Sequence, residues 1–256
     1  MRKKFTANIA FMFADRPFLE RIDAAKAAGF QFVECHFPYE FPIPALKERL
    51  AKAGVSLTGL NTAPGDTTKG EWGFAAVPGR EKDFDAHFDQ ALEYASALGA
   101  SVIHVMAGNV PFDERSLSTY VTNLQKAARK ADSTKIKLIL EPLNRRDMPN
   151  YFISKSDDIV DVLKKIDRPN VKLLFDVYHV QIMEGDLIRR LERHRPHIGH
   201  VQIAAVPSRA EPNQGEVNLD GILNALDSTG YDGFIGLEYK PQARTEDGLQ
   251  WLSAYR

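Results

Sequence analysis

The stretch Ile136–Asn144, IKLILEPLN, is the most informative indicator of the fold in this chain. Its first five residues are apolar except for one lysine, which is typical of a strand buried on both faces in a parallel sheet. Pro142 has no amide hydrogen to donate to a neighbouring strand, so the strand is predicted to end at Glu141. A carboxylate at the end of a buried strand needs a partner, which favours a metal ligand or an acid–base group there.

Three later strand-like stretches end on a polar side chain in the same way. VKLLFD ends at Asp176, IGHVQ at Gln202 and FIGLE at Glu238. Asp176 follows Glu141 by 35 residues, Gln202 follows after 26 more, and Glu238 after a further 36. Each interval is close to the length of one strand plus one helix. The four side chains are therefore predicted on successive strands whose carboxyl ends converge.

Eight strand–helix alternations follow one another along the chain. The predicted strands are Phe5–Phe11, Phe32–His36, Val55–Asn61, Ser101–Met106, Lys135–Glu141, Val171–Asp176, Ile198–Ile203 and Phe234–Glu238. The predicted helices are Pro17–Ala28, Pro44–Ala53, Glu81–Leu98, Ser116–Ala131, Lys155–Ile166, Asp186–His194, Leu219–Ser228 and Thr245–Ala254.

This order predicts an α/β fold, a single (β/α)8 TIM barrel domain over residues 1–256; such barrels use about 250 residues. The alternative is an open, doubly wound sheet. The count of eight and the lack of a GxGxxG motif after the first strand favour the barrel. Three strand-to-helix loops are long: Thr62–Arg80, Pro142–Ser154 and Ala204–Asn218. Such loops line the active-site face, and Trp72 and Phe74 suit a cover over a small site.

Composition excludes several classes of partner. The chain has 33 basic and 34 acidic side chains and a net charge of −1, so no basic excess indicates nucleic acid or an anionic membrane. The basic and then apolar start of the chain is too short for a signal peptide, and no stretch reaches the ~20 apolar residues of a membrane span. Cys35 is the only cysteine, a small buried strand residue by its pattern, and a cytoplasmic location is expected.

The four strand-end groups also predict a metal. Three carboxylates and one amide oxygen form a hard, all-oxygen ligand set, which suits Mg²⁺ or Mn²⁺ better than zinc or copper. One such acid alone could be a salt-bridged or solvated residue. Four polar groups at equivalent strand ends favour a divalent cation site.

Longer motifs carry a family resemblance. EPLNRRD around Glu141, LLFDVYHVQ around Asp176, HIGHVQIAAVPSRAEP around Gln202, GLEYKP around Glu238 and NTAPG at Asn61–Gly65 resemble the hydroxypyruvate isomerase family. That family includes 2-oxotetronate isomerases and belongs to the xylose-isomerase-like sugar isomerase and epimerase barrels. The resemblance spans essentially the whole chain. It implies that Glu141, Asp176, Gln202 and Glu238 bind the cation and that Glu141 and Glu238 move the proton.

The resemblance implies an isomerase that works through a cis-enediol or enediolate. Hydroxypyruvate would become 2-hydroxy-3-oxopropanoate (tartronate semialdehyde), or 2-oxotetronate would become 3-oxotetronate, as a proton leaves C3 and one returns to C2. The expected partner is thus a small keto or hydroxy acid, and a homo-oligomer is left open. The wider epimerase group usually has histidine where this chain has Gln202, whereas the hydroxypyruvate isomerase members share the glutamine.

Several residues are candidates for substrate binding. By resemblance to the related epimerases, His179 contacts the substrate; the alternative is a histidine hydrogen-bonded at a helix start. The substrate carboxylate requires a donor, and Arg145, Arg146, Arg209 and Lys240 lie close to strand ends. Arg209 is preferred because a guanidinium can grip a carboxylate at two points.

Four further residues are expected near the site. His200 alternates with Gln202 on the seventh strand, so both side chains should point the same way. His104 should line the barrel interior or serve as a core histidine, and Asn8 and His36 are candidates for the far wall.

Other functions compete with the isomerase. A ketose 3-epimerase would use the same two glutamates on one carbon, but Gln202 and the arginines argue against it. A DNA-repair endonuclease of the same superfamily would need several zinc ions, many histidines and a basic face, which the net charge of −1 disfavours. A sugar-binding or sensor protein would not need the pair Glu141 and Glu238.

Overall fold

The computed structural model describes residues 3–255 and shows a closed barrel of eight parallel strands that pair in chain order. The strands are β1 (Lys4–Asn8), β2 (Phe32–Glu34), β3 (Ser56–Asn61), β4 (Val102–His104), β5 (Lys137–Leu140), β6 (Val171–Asp176), β7 (Ile198–Ile203) and β8 (Phe234–Leu237). Lys4 of β1 pairs with Phe234 of β8 and closes the ring. The predicted TIM barrel is confirmed.

Within residues 3–255, eight α-helices accompany the strands. They are α1 (Phe18–Ala27), α2 (Ile43–Ala53), α3 (Glu81–Leu98), α4 (Glu114–Ala131), α5 (Ser156–Ile166), α6 (Val177–Met183), α7 (Leu187–His194) and α8 (Leu219–Ser228). The chain also has 3-10 segments at Thr67–Lys69, Arg195–His197 and Thr245–Ala254. The last of these was predicted as an ordinary helix.

Two boundaries differ from the prediction in ways that affect the site. The first strand ends at Asn8, and the chain then turns, so that Phe11 faces the mouth of the barrel. Only Asp186–His194 was expected as the helix after the sixth strand, but α6 precedes it. The Asp176 side chain accepts a hydrogen bond from the Tyr178 amide at 2.8 Å and so caps α6. Because α6 is short and mostly apolar, its sequence resembles a continuing strand.

The core has two parts. Most buried apolar side chains fill the space between the barrel and its helices, as Phe88 and Ala91 of α3 do. Val102, Ile139 and Leu174 form a separate, small cluster. Each precedes a polar residue by two positions (His104, Glu141 and Asp176), so alternation puts these apolar and polar side chains on the same side of their strands. The apolar cluster therefore packs one layer beneath the polar groups, on the same side of these strands.

The three long connections lie at the carboxyl ends of β3, β5 and β7, as predicted. Trp72 of the first connection lines the cavity at this end of the barrel, whereas Phe74 is buried in the core. Within residues 3–255, no helix combines the length and the apolar character needed to cross a membrane.

Candidate active site

A cavity of about 240 Å³ opens at the carboxyl ends of the strands. Its aromatic lining includes Phe11, Phe37 and Trp72. The polar and ionisable side chains that line the cavity include His36, Asn61, His104, Glu141, Asp147, His179, Arg209 and Glu238. A larger depression of about 340 Å³ lies at the opposite end of the barrel, around the start of β1 and β2. It is lined by two lysines and no carboxylate, so the chemistry belongs to the smaller cavity.

Glu238, directly after β8, is held at both carboxylate oxygens. Oε2 accepts hydrogen bonds from Asn8 Nδ2 at 2.8 Å and Gln202 Nε2 at 2.7 Å, and Oε1 accepts one from Arg209 Nη2 at 2.6 Å. Burial raises the pKa of Glu238, but His36 and then Arg209 outweigh it and lower the pKa to about 2. Glu238 is therefore an ionised, well-oriented carboxylate.

Glu141, directly after β5, is in a contrasting environment. Its Oε2 lies 3.3 Å from His104 Nδ1, and its buried Oε1 has no hydrogen-bond partner. Burial, followed by the negative charges of Glu238 and Asp176, raises the pKa of Glu141 well above its ordinary value. Burial also lowers the pKa of His104 to about 3, so this histidine is neutral and cannot balance the charge. Compared with a free glutamate, Glu141 is therefore shifted toward the neutral form.

Asp176 ends β6 and has one oxygen without a hydrogen bond. Its Oδ1 caps α6, while the buried Oδ2 has no hydrogen-bond partner. Burial raises the pKa of Asp176 to about 7, although Arg209 acts in the opposite direction. Asp176 lies beside Gln202 in the register of β6 and β7, so the two side chains leave their strands next to each other.

His179, on the first turn of α6, has a defined proton position. Its Nδ1 accepts a hydrogen bond from the Asn144 backbone amide at 3.0 Å. Burial and the charge of Arg209 lower its pKa to about 3, so the ring is neutral and its single proton is on Nε2. That Nε2 lies 3.7 Å from Glu141 Oε1 and 3.6 Å from Asp176 Oδ2. His179 thus presents a hydrogen-bond donor to the cavity, not a lone pair for a metal.

The amide of Gln202 is fixed by carboxylates. Its Nε2 donates to Glu34 Oε1 at 2.8 Å and to Glu238 Oε2 at 2.7 Å. Glu34 Oε2 in turn lies 2.9 Å from His200 Nε2. With the nitrogen engaged on both sides, the buried Oε1 of Gln202 has no hydrogen-bond partner.

These residues fit a hard divalent cation. Three buried oxygens lack a hydrogen bond from the protein: Glu141 Oε1, Asp176 Oδ2 and Gln202 Oε1. Glu141, Asp176 and His179 also offer atoms within 4.8 Å of one another. Because His179 carries its proton on Nε2, oxygen ligands explain this cluster better than a mixed set with histidine. Buried carboxylates without donors are costly unless a cation or a proton neutralises them.

Of the four residues predicted as donors to the substrate carboxylate, Arg209 lines the cavity. Its guanidinium lies between the rings of Phe11 and Tyr178, 5.1 and 4.8 Å from their centroids, which fixes its plane. Nη2 is bonded to Glu238, whereas Nη1 lies 3.8 Å from Asp147 Oδ2, beyond hydrogen-bond range. Arg209 also has a φ of 55°, a left-handed conformation that is unusual for a side chain of this size.

The other three predicted donors lie outside the cavity. Arg145 is exposed and donates to the carbonyl of Pro149 in its own loop at 2.6 Å. Arg146 and Lys240 are also exposed, although the Lys240 ammonium lies 5.7 Å from the centroid of Phe11. The expected supporting residues Asn8, His36, His104 and His200 all contact a carboxylate of the site.

Sequence reasoning missed Glu34 and Asp147, and it expected the Asn144–Arg146 run to shape the substrate end of the site without identifying the contact that Asn144 makes. Glu34 holds Gln202, Asn144 holds His179, and Asp147 lines the cavity and accepts a hydrogen bond from the Tyr178 hydroxyl at 2.9 Å. Only Glu34 left a signal, since a carboxylate within the buried strand FVE should have a partner. Its partner lies 168 residues away, too far for any local pattern to show.

The chain is similar to several known proteins. A family model described as xylose isomerase-like TIM barrel matches residues 22–255. The 2-oxo-tetronate isomerase of Cupriavidus necator is 46% identical over 255 residues, 98% of each chain. The hydroxypyruvate isomerase of Escherichia coli K12 is 37% identical over 256 residues, 99% of each chain. A crystal structure of AP endonuclease, family 2, from Brucella melitensis is 41% identical, with a TM-score of 0.96 and complete coverage of both chains.

The chain therefore belongs to the xylose isomerase-like TIM barrel family and, within it, to the hydroxypyruvate isomerase and 2-oxo-tetronate isomerase group. The resemblance in the motifs is confirmed, and the chain is an isomerase.

Proposed function

We propose that this member of the family isomerises a short 2-oxo acid with a hydroxyl on the adjacent carbon, through an enediolate and with a divalent cation. The observation that carries the proposal is the set of three buried oxygens without protein donors, on Glu141, Asp176 and Gln202, beside the fully bonded Glu238. A binding protein for a neutral sugar has no use for such a concentration of uncompensated acceptors.

Glu141, Asp176, Gln202 and Glu238 would hold the cation, with Mg²⁺ or Mn²⁺ suited to the all-oxygen set. When bound, the cation supplies a Lewis acid that withdraws electron density from the substrate carbonyl. His179 donates from Nε2 toward the same region and can bind a substrate oxygen.

Glu141 and Glu238 would exchange the proton. Glu238 enters from β8 and Glu141 from β5, so two or more strands separate them in either direction around the ring. A carboxylate on one side can take the C3 proton while a carboxylic acid on the other returns a proton to C2. The hydroxyl proton moves from O3 to O2, so the reaction is balanced without a further reactant.

Arg209 would bind the substrate carboxylate while it keeps Glu238 in place. One of its nitrogens is bonded to Glu238, and Nη1 is left with Asp147 at 3.8 Å. Clamped between two rings, the guanidinium can serve both partners without losing its orientation. Roles for Arg145 and Lys240 would require their side chains to turn into the cavity.

The four-carbon acid is the first substrate to test. The 46%-identical relative is named 2-oxo-tetronate isomerase, and the 37%-identical relative is named hydroxypyruvate isomerase. The same proton transfer serves both acids, because the reacting carbons are C2 and C3 in each. We therefore propose 2-oxotetronate as the better substrate and hydroxypyruvate as the poorer one.

The test is an isomerisation assay in deuterated water. Protein stripped with EDTA is assayed before and after Mn²⁺ or Mg²⁺ is restored, with each acid, and NMR follows the product. We expect turnover only with the cation, solvent deuterium at C2, and the higher kcat/KM with the four-carbon acid. Glu141→Gln serves as the control for spontaneous enolisation. Undiminished turnover in EDTA would rule out the cation, and inversion at C3 of 2-oxotetronate without isomerisation would favour the 3-epimerase.

Nuclease activity finds less support, although the Brucella melitensis protein carries an endonuclease name. Among residues 3–255, the one cluster of three or more metal-binding side chains is Glu141, Asp176 and His179. With a net charge of −1, the chain also lacks the basic excess of a DNA-binding surface. Cleavage of abasic DNA by the same protein preparation would contradict this assignment.

A further inference from the structure

Glu34 is a buried carboxylate that the proposed reaction does not use. It is 4% exposed and lies near the end of β2, next to the groups that would bind the cation. We propose that Glu34 is a positioning residue, which fixes the Gln202 side chain so that its amide oxygen, not its nitrogen, faces the cation. This inference rests on the proposed cation site.

The hydrogen bonds of the Gln202 amide allow only one orientation. An amide nitrogen has two hydrogens, and here they point to Glu34 Oε1 at 2.8 Å and Glu238 Oε2 at 2.7 Å. Ionised carboxylates only accept hydrogen bonds, so turning the amide over would place its oxygen against two acceptors. Glu34 therefore disfavours the flipped amide, which would present hydrogens to a cation.

Glu34 is itself held in place. Its Oε2 is bonded to His200 Nε2 at 2.9 Å, and its Oε1 lies 3.3 Å from Asn8 Nδ2. His200 and Gln202 are two residues apart on β7, so both reach the barrel interior. Glu34 thus bridges two side chains of β7 from a strand that does not pair with β7.

Gly236 opens the path for this bridge. It lies on β8 beside Gln202 in the strand register. A Cβ at position 236 would come within 2.4 Å of Glu34 Oε1 and 2.7 Å of Gln202 Cγ. The space that glycine leaves is therefore occupied by the contact between Glu34 and Gln202.

Two explanations of the role of Glu34 predict different Mn²⁺ affinities for its variants. If Glu34 acts by position, Glu34→Gln should still orient the Gln202 amide and bind Mn²⁺ normally. The new amide oxygen can accept a hydrogen bond from Gln202 while the new amide nitrogen donates to the other tautomer of His200. If Glu34 acts by negative charge, Glu34→Gln should be as damaging as Glu34→Ala.

The experiment measures Mn²⁺ affinity of the full-length protein by calorimetry and by EPR of the free ion, without substrate. Removing a residue that orients a metal ligand typically weakens binding by about 10- to 100-fold, and we expect this loss for Glu34→Ala. Glu34→Gln should stay within about threefold of the unmodified protein. Glu184→Ala is the matched control, since Glu184 is a buried carboxylate bonded to Arg190 and the Ser156 amide away from the site. Its Mn²⁺ affinity should not change.

A double-mutant cycle tests whether Glu34 acts through Gln202. In a Gln202→Ala background, Glu34→Ala should cause no further loss of Mn²⁺ affinity. Gly236→Ala supplies an independent variant, expected to weaken Mn²⁺ binding although Glu34 is intact. Circular dichroism and thermal unfolding establish that each variant is folded.

The outcomes separate this inference from the proposed function. If the unmodified protein binds no Mn²⁺, the cation site and the role of Glu34 both fail. If it binds Mn²⁺ and Glu34→Ala or Gly236→Ala binds equally well, only the role of Glu34 is overturned. Equal losses in Glu34→Gln and Glu34→Ala, or an additive loss in the Gln202→Ala background, also overturn it. If Glu34→Ala does not fold, Glu34→Gln and Gly236→Ala still decide.

Discussion

The two halves of the barrel supply different kinds of group to one cavity. Strands β5 to β8 each bring one potential cation ligand, and three of these ligands have a buried oxygen without a hydrogen bond. Strands β1, β2 and β4 bring the groups that hold those ligands: Asn8 contacts Glu238, Glu34 contacts Gln202, and His104 contacts Glu141. The β5–β8 half leaves oxygens open for a cation, and the side chains of the other half orient the ligands together with Arg209, which follows β7.

This difference shows which functional residues a sequence can disclose. The ligand half, β5 to β8, has a pattern that is visible in the sequence: a polar residue ends each buried strand, and these residues are spaced by one strand–helix unit. The supporting half follows no such rule, because its contacts join residues as far apart as Asn8 and Glu238, 230 positions along the chain. Substitutions in the two halves should therefore have effects of different size.

The largest effect is expected in the ligand half, from Glu141→Gln and Glu238→Gln. Each removes a positioned acid or base, which typically lowers the rate by at least ~10²-fold. The measurement is kcat for 2-oxotetronate with saturating Mn²⁺, together with solvent deuterium incorporation. Glu184→Gln provides a buried-carboxylate control that should keep its turnover. Wild-type kcat in either site variant would remove that residue from the proton transfer.

Arg209→Lys should have the next largest effect. A lysine cannot bond Glu238 and the substrate from one rigid plane, nor stack between Phe11 and Tyr178 in the same way. Loss of a charged hydrogen bond costs about 1.5–3 kcal/mol, or roughly 10- to 100-fold in kcat/KM. Steady-state kinetics with both acids measures this loss. An unchanged kcat/KM would contradict both roles of Arg209.

Asn8→Ala tests the supporting half directly. Glu238 would lose one donor but keep Gln202 and Arg209, so the expected loss is about 1 kcal/mol, or roughly fivefold in kcat. Asn123→Ala is the matched control: Asn123 is a buried asparagine that donates to the Ala75 carbonyl at 2.9 Å, and its loss should lower stability without changing kcat. A loss of kcat as large as that of Glu238→Gln would show that supporting residues matter as much as the proposed ligands.

Cys35→Ala should have the smallest effect. Cys35 follows Glu34 directly, but it is packed in the apolar core, 3% exposed, and burial raises the pKa of its thiol to about 12. We expect kcat/KM within about twofold of wild type, and no reaction of the native thiol with a disulfide reagent at pH 8 until the protein unfolds. Rapid labelling of the folded protein would contradict this burial.

The sequence was sufficient to predict the barrel and to place the four polar strand-end residues on successive strands. Apolar runs and glycine-terminated helices defined the alternation, and β6, β7, α3 and α8 have the predicted bounds. It was insufficient for α6, because VYHVQIM is short and has the composition of a strand, although Asp176 caps it as a helix in the structure. Glu34 and the contact of Asn144 with His179 were missed because the closed barrel, not the neighbouring sequence, brings these partners together.

The short helix α6 limits how this segment of the chain can change in length. Asp176 precedes the helix directly, and His179 lies on its first turn. A helix turns about 100° per residue, so one inserted or deleted residue between them would swing the imidazole away from Glu141. The exposed tip of the first long connection, residues 67–70, has no such constraint, since exposed loop tips accept added residues at small entropic cost. Gaps should therefore be tolerated at that tip among homologues and absent between Asp176 and His179.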